Sequence, residues 1–294
     1  MDIAFFTPIA SDLGESPVWD GQRQWLWWID IRKGRVMAVD TSGTLVRDWT
    51  FDRQVGSIGL AEDGLVAAFS DGFSLIDLDG RVRDLVRPTI GEGAIRFNDG
   101  KMDRQGRFLS GTMQHGGQEG ALGTLWRLGR GGDAEKLLDG FRLTNSLCFS
   151  PCGRWLYVSD SLEGVLRRYP YDPETGALGP MKSLFDFAAA GTAPDGATVD
   201  SEGRIWVALV ISAQIACLSA EGELLRLVDL PVPYPSCPAF GGPDMATLYV
   251  TTISDSGHKL KSDHPDAGRM LAISGLGARG IGEARFVRDN HTWN

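Results

Sequence analysis

Six positions in this sequence could together grip a hard cation. Glu15, Gly56, Asn98, Asn145, Asp195 and Ser236 each open the same short unit: an apolar stretch, a turn holding Asp or Gly, then an aromatic or β-branched strand. Five of the six carry a side-chain oxygen, and two of the chain's four Asn fall in the set. Two carboxylates and two amides aimed into one small space repel or go unsatisfied without a partner. A divalent cation resolves both problems. Oxygen-only ligation suits Ca2+, Mg2+ or Mn2+, and Zn2+ also accepts carboxylates. Taken singly, each Asp or Asn could equally cap a turn through an Asx hydrogen bond. It is the recurrence across the set that favours the cation.

For these side chains to meet, their segments must be arranged about one axis. Four copies of the unit align without a gap: ESPVWDGQRQWLWWID from Glu15, NDGKMDRQGRFLSGTM from Asn98, NSLCFSPCGRWLYVSD from Asn145 and DGATVDSEGRIWVALV from Asp195. Looser copies begin at Gly56 and Ser236, so the steps are 41, 42, 47, 50 and 41 residues. A period of this length holding several short strands is the signature of a propeller blade. Sandwiches and β-helices have shorter or less regular periods. The sequence therefore predicts an all-β chain, a six-bladed β-propeller spanning 1–294 as one domain, with a metal site in the axial channel. The N-terminal strand (Ile3 to Thr7) and a C-terminal strand (Ala284 to Val287) are expected to share a sheet and close the ring.

Composition narrows the partners. The chain has 294 residues, 43% hydrophobic and 23% charged, which is enough for a real core and argues against disorder. A net charge of −9 disfavours nucleic acid and anionic membrane surfaces, both of which need clustered Lys and Arg. The 38 Gly call for many turns and few long helices. Cys148, Cys152, Cys217 and Cys237 are too few for a disulfide-stapled fold, and Cys148 and Cys152 are expected to be buried thiols. The start lacks the basic and apolar regions of a signal peptide, and the longest uncharged apolar run, Ile205 to Ile211, falls far short of a membrane span. A cytoplasmic protein is expected.

Ordered blocks along the chain carry a family resemblance. LGESPVWD with LWWIDI, RFNDGKMDRQGRFLSGTM, LTNSLCFSPCGRWLYVSD, PDGATVDSEGRIWVAL and AFGGPDMATLYVTT resemble the signature blocks of the gluconolactonase, regucalcin and luciferin-regenerating-enzyme family. The match runs from about Leu13 to Thr252, and RFNDGK is its most specific part. The resemblance implies a six-bladed propeller with one catalytic divalent metal held by Glu15, Asn145 and Asp195. It also implies that Arg96 and Asn98 contact the substrate, a sugar-acid lactone opened to the aldonate. Four of these five residues already stand in the repeat series; Arg96 comes from the resemblance alone. Departures occur at Ser146, where the family usually has Gly, and in the stretch after Trp206, which reads LVISAQI instead of a Gly-rich form. The family's substrate-facing Glu after GTM is replaced by a stretch in which His115 or Glu119 could stand in.

The implied chemistry agrees with the residue types. A cation held by three protein groups keeps positions open for water and for the lactone, and polarises the carbonyl. Asp195, ligand and candidate general base, can take the proton of the attacking water. Two alternatives are a broader esterase or phosphotriesterase-like hydrolase and a non-catalytic calcium-binding regulatory propeller. The inward donors speak against the latter, since a scaffold has no need to concentrate carboxylates at its axis. Other motifs lead nowhere: Gly275 to Gly280 matches GxGxxG without a βαβ unit, and the four His show no zinc spacing.

Overall fold

The computed structural model describes residues 1–91, 95–114, 120 and 122–288. Within them the chain folds into six four-stranded antiparallel sheets. The innermost strands are Gly14–Asp20, Val55–Ala61, Ile95–Met102, Thr144–Phe149, Pro194–Val199 and Pro235–Gly241, and they define blades 1 to 6. Each innermost strand packs against that of the next blade, and blade 6 packs back onto blade 1, so the ring is closed. The six-bladed propeller expected from the repeat period is what forms.

Burial follows radius. Gly14–Asp20, Val55–Ala61 and Pro235–Gly241 are buried along their whole length. Outer strands such as Leu45–Thr50 instead mix exposed and half-buried positions. Apolar side chains fill the wedges between blades. Trp27, Ile29 and Val36 of blade 1 meet Ile58, Leu65 and Phe69 of blade 2 in one cluster. Tyr157 and Leu166 of blade 4 meet Ala197 and Val207 of blade 5 in another. Each large side chain so buried contributes about 1.5–3 kcal/mol. Trp27 and Trp28 lie in these layers as packing residues.

Ring closure differs in detail from the expectation. The N-terminal strand Asp2–Ala10 is the outer strand of blade 6, but it pairs with Arg269–Ser274. The Ala284 to Val287 segment has only an isolated bridge, Phe286 to Ala61 of blade 2. It serves instead as a strap. The Phe286 ring is buried among Phe97, Phe108 and Leu128, Arg285 Nη1 donates to the Ala61 carbonyl at 2.8 Å, and Glu283 forms an ion pair with Lys101 at 2.7 Å. Cys152 corrects a second expectation: it is exposed on its turn, whereas Cys148 is buried.

The feature that positions the site is an interruption of the innermost pairing in every blade. Register shifts fall between Glu15 and Val18, Val55 and Ser57, Phe97 and Gly100, Asn145 and Cys148, Pro194 and Ala197, and Pro235 and Pro238. Each interruption begins at or just before the first residue of the sequence repeat. A bulge breaks strict alternation and re-aims a side chain. This is why equivalent positions of different blades can face the axis while the rest of each strand packs between blades.

The bulges demand close contacts. A Cβ on Gly196 would lie 2.4 Å from Cys237 Sγ and 2.7 Å from Cys237 Cβ, closer than atoms can approach. Gly196→Ala is expected to force blades 5 and 6 apart, at about 1–3 kcal/mol for overpacking. A lowered Tm is the result to look for; a wild-type Tm would contradict this packing argument.

Candidate metal centre

Glu15, Arg96, Asn98, Asn145 and Asp195 come together at the floor of one cup of about 710 Å3. All five are buried, none more than 8% exposed. Two members of the repeat series do not take part. Ser236 Oγ donates to the Gly14 carbonyl at 2.5 Å and shares a hydrogen bond with Thr251 Oγ1 at 2.8 Å, so its oxygen is structurally committed. At Gly56 the Phe97 carbonyl lies 2.4 Å from where a Cβ would sit, which leaves no room for a donor side chain.

The amides are held by a directed chain of hydrogen bonds. Arg96 Nη1 donates to Asn98 Oδ1 at 2.9 Å and to the Phe97 carbonyl at 2.8 Å. Asn98 Nδ2 donates to Asn145 Oδ1 at 2.9 Å and to the Thr144 carbonyl at 3.0 Å. Asn145 Nδ2 donates to Ser161 Oγ at 2.8 Å, and Ser161 Oγ donates to the Pro194 carbonyl at 2.6 Å. The chain fixes which end of each amide faces which neighbour. An amide oxygen has two lone pairs, so Asn145 Oδ1 retains one for a ligand.

The same bonds lock blade to blade at one recurring place. Thr144, Pro194 and Gly14 each precede a ring residue, and each of their carbonyls accepts a side-chain donor from the blade before. Ser146 adds a fourth lock, donating from Oγ to the Asp195 carbonyl at 2.5 Å while accepting from Ser159 Oγ at 2.8 Å. Its backbone sits at φ +57°, the left-handed region that glycine tolerates best, at a cost of roughly 1–2 kcal/mol. The hydroxyl offsets that cost. Ser146→Gly should therefore be near neutral in stability. Ser146→Ala should lose about 1–3 kcal/mol, because it keeps the strain and orphans a buried carbonyl; chemical denaturation of the two variants compares them directly.

The carboxylates stand in a different condition. Glu15 accepts only the Ser16 backbone N–H, at 3.2 Å, and neither Glu15 nor Asp195 has an ion-pair partner among the described residues. Burial, then the charges of Asp195 and Asp99, holds the Glu15 pKa well above the usual carboxylate range. Burial and the charge of Asp99 do the same to Asp195. Arg96 is the nearest compensating charge, and its Nε, buried, has no hydrogen-bond partner. Two buried carboxyls without an ion-pair partner among the described residues, beside an amide oxygen with a spare lone pair, form a donor set that fits a hard divalent cation. No group of three His, Cys, Asp or Glu converges anywhere among the described residues, and this set does not need one, because its third member is Asn.

Two contributors were not foreseen from the sequence. Ser161 braces Asn145, as described. Asp99 lies buried one residue beyond Asn98, accepts the Leu147 N–H at 2.8 Å, and is pushed up to about 6 by burial. The bulge explains its position, since it turns two consecutive residues toward the axis. The residues following the ring positions form a second tier: Ser16, Ser57, Asp99, Ser146, Gly196 and Cys237. Reading that offset across the repeats would have singled out Asp99 as its one charged member. Beneath this tier the channel shrinks to a chamber of about 10 Å3, bounded by Lys101 and Glu283, room for about one water. The cup's opposite end is its entrance. His115 and Glu119 lie outside the described residues.

Comparison with known proteins identifies the family. Residues 13–254 match the model of the SMP-30/Gluconolactonase/LRE-like region. The chain belongs to that family. Among its members, a 6-deoxy-6-sulfogluconolactonase of Pseudomonas putida is 37% identical over 272 residues, covering 89% of this chain and 91% of that protein. A regucalcin of Xenopus laevis is 32% identical over 283 residues, covering 94% and 95%. A solved structure of a calcium-binding protein, regucalcin, from Agrobacterium tumefaciens superposes with a TM-score of 0.89 at 26% identity, covering 96% of each chain. Family membership was the reading of the sequence blocks, and it holds. The departure after Trp206 now has a structural meaning: Val210 and Ile211 of that stretch line the cup wall.

Proposed function

We propose that the chain is a divalent-metal-dependent hydrolase that opens a sugar-acid lactone to the aldonate. The observation that carries the reading is the pair of buried carboxyls without an ion-pair partner, Glu15 and Asp195, beside Asn145 at the floor of an open cup. A lactonase of the same family at 37% identity supports the substrate class, and the naming of a regucalcin relative as calcium-binding supports Ca2+ among the hard cations.

In this reading Glu15, Asn145 and Asp195 hold the cation. When bound, it supplies Lewis-acid polarisation of the lactone carbonyl and acidifies water. Asp195 then has a second task. Its carboxylate accepts the proton as water attacks. Arg96 presents its unpartnered Nε to a substrate oxygen, and the hydrogen bonds from Nη1 to Asn98 and Phe97 keep the guanidinium from rotating away. Asn98, fixed from both ends, orients the substrate beside the carbonyl carbon. The Asn98–Asn145–Ser161 chain holds these groups in place before substrate arrives, so little reorganisation is needed during reaction.

The test is a pH-indicator assay of gluconolactone and related aldonolactones, run on metal-loaded and EDTA-treated protein. Opening that disappears with EDTA and returns on adding Ca2+, Mg2+, Mn2+ or Zn2+ is the expected result. Equal rates in both preparations would falsify the metal's role. Hydrolysis of aryl phosphotriesters with none of aldonolactones would replace the lactonase reading with the broader hydrolase.

A further inference from the structure

The cup is larger than its floor requires. A volume of about 710 Å3 lies well within the range of about 300–1,000 Å3 that takes drug-sized ligands, so a lactone ring on the floor leaves space above it. The lower walls there are apolar, with Leu13, Ile31, Leu143 and Val210 among them. Among the described residues the rim carries two cations. Arg142, on the connection from blade 3 to blade 4, and Lys259, on the loop between Thr247–Thr252 and Arg269–Ser274 of blade 6, both line the cup and are exposed. Blades 3 and 6 face one another across a six-membered ring, so the two cations flank the entrance.

Acidic residues outnumber basic ones by 38 to 29. Two basic side chains nearby are neutralised, Arg32 by Asp12 and Asp255 and Lys33 by Asp12. Arg142 and Lys259 have no ion-pair partner among the described residues, and the described residues lining the cup include no carboxylate apart from Glu15 and Asp195 at the floor. Unpaired positive charge above apolar walls concentrates its field on whatever enters. An anion at the floor would instead meet the two carboxylates there. Arg96 cannot serve a distal anion either, because it is buried at the floor with Nη1 committed to Asn98 and Phe97.

We infer that the substrate is a lactone bearing a strong anion, a sulfonate or a phosphate, on the carbon farthest from the ring carbonyl, and that Arg142 and Lys259 meet that anion at the rim. The inference rests on the lactonase reading above and narrows it from sugar lactones in general to anionic ones.

The experiment compares gluconolactone with its 6-sulfonated (6-deoxy-6-sulfo) and 6-phosphorylated counterparts on metal-loaded protein. At low ionic strength at least one charged lactone should show kcat/KM about tenfold or more above gluconolactone, and the advantage should shrink as salt is added. Preference for sulfonate or for phosphate identifies which anion the rim receives. The double variant Arg142→Ala/Lys259→Ala should lower kcat/KM for the preferred charged lactone about tenfold more than for gluconolactone. Equal or slower turnover of both charged lactones, or a double variant that keeps the full preference, overturns the inference. Calorimetry with the corresponding aldonates separates it from the lactonase reading. Failure of both charged aldonates to bind more tightly than gluconate overturns the inference whether or not lactones are opened, whereas tight binding without turnover supports the rim assignment and overturns only the lactonase reading.

Discussion

Asp195→Ala is expected to reduce kcat/KM for lactone opening by about 10^3-fold or more. Two losses combine in this variant. A general base contributes about 10^2–10^4-fold, and the cation loses one of three proposed protein ligands. Asp195→Asn separates the two, because the amide keeps an oxygen donor of similar size but cannot accept a proton at neutral pH. Asp195→Asn should therefore bind metal more tightly than Asp195→Ala while remaining almost as inactive, with calorimetry reading the first and the indicator assay the second. Near-native turnover by Asp195→Asn would remove Asp195 from the base role and leave it as a ligand alone.

The second large effect concerns stability. Glu15 and Asp195 are held well above their ordinary pKa values by burial first and neighbouring charge second, and Asp99 is pushed up to about 6 by burial. A carboxyl with a raised folded-state pKa favours the fold in its protonated form. That contribution is complete below the unfolded value of about 4 and is lost as pH rises through the raised one. Metal-free protein should therefore lose Tm between pH 5 and 8. Divalent metal should restore it, by about 2.7 kcal/mol at a hundredfold excess over Kd, which is several degrees for a domain of this size. The metal-induced rise in Tm should grow with pH across that window and be much smaller in Asp195→Asn. A rise that is the same at pH 5 and pH 8 would show that the floor carboxylates carry no uncompensated charge.

Much of this was legible in the sequence, for a physical reason. A propeller repeats one supersecondary unit about an axis, so equivalent positions in the repeat become neighbours in space. Glu15, Asn98, Asn145 and Asp195 could be grouped by offset alone, without knowledge of any contact. Arg96 needed the family resemblance, because it stands two residues before its ring position. What the sequence hid falls into three kinds. Asp99 and the second tier depend on bulges, and a bulge breaks the strict alternation by which strand faces are read. Ser161 and the blade-to-blade locks pair residues of neighbouring blades, and no periodic pattern marks them. Arg142 and Lys259 sit on connections whose lengths differ between blades, where offset carries no information. The same limit explains the misassigned partner of the N-terminal strand: the Ala284 to Val287 segment has strand-forming residues, but the outer edge of blade 6 was already taken by the pairing of Asp2–Ala10 with Arg269–Ser274.

That pairing has a bearing on how the molecule comes into being. Asp2–Ala10 has no partner until Arg269–Ser274 exists, so its hydrogen bonds span about 260 positions of chain and belong to the slowest class of contact to form. Until then blade 6 is one strand short, and the seam between blades 6 and 1 rests on the Ser236–Gly14 lock and the packing of the inner strands alone. The floor carboxylates come from blades 1 and 5, on either side of that gap. Competence to hold a cation should thus arrive last during refolding, in a single step with the seam's closure, and metal-sensitive fluorescence should lag the recovery of sheet signal.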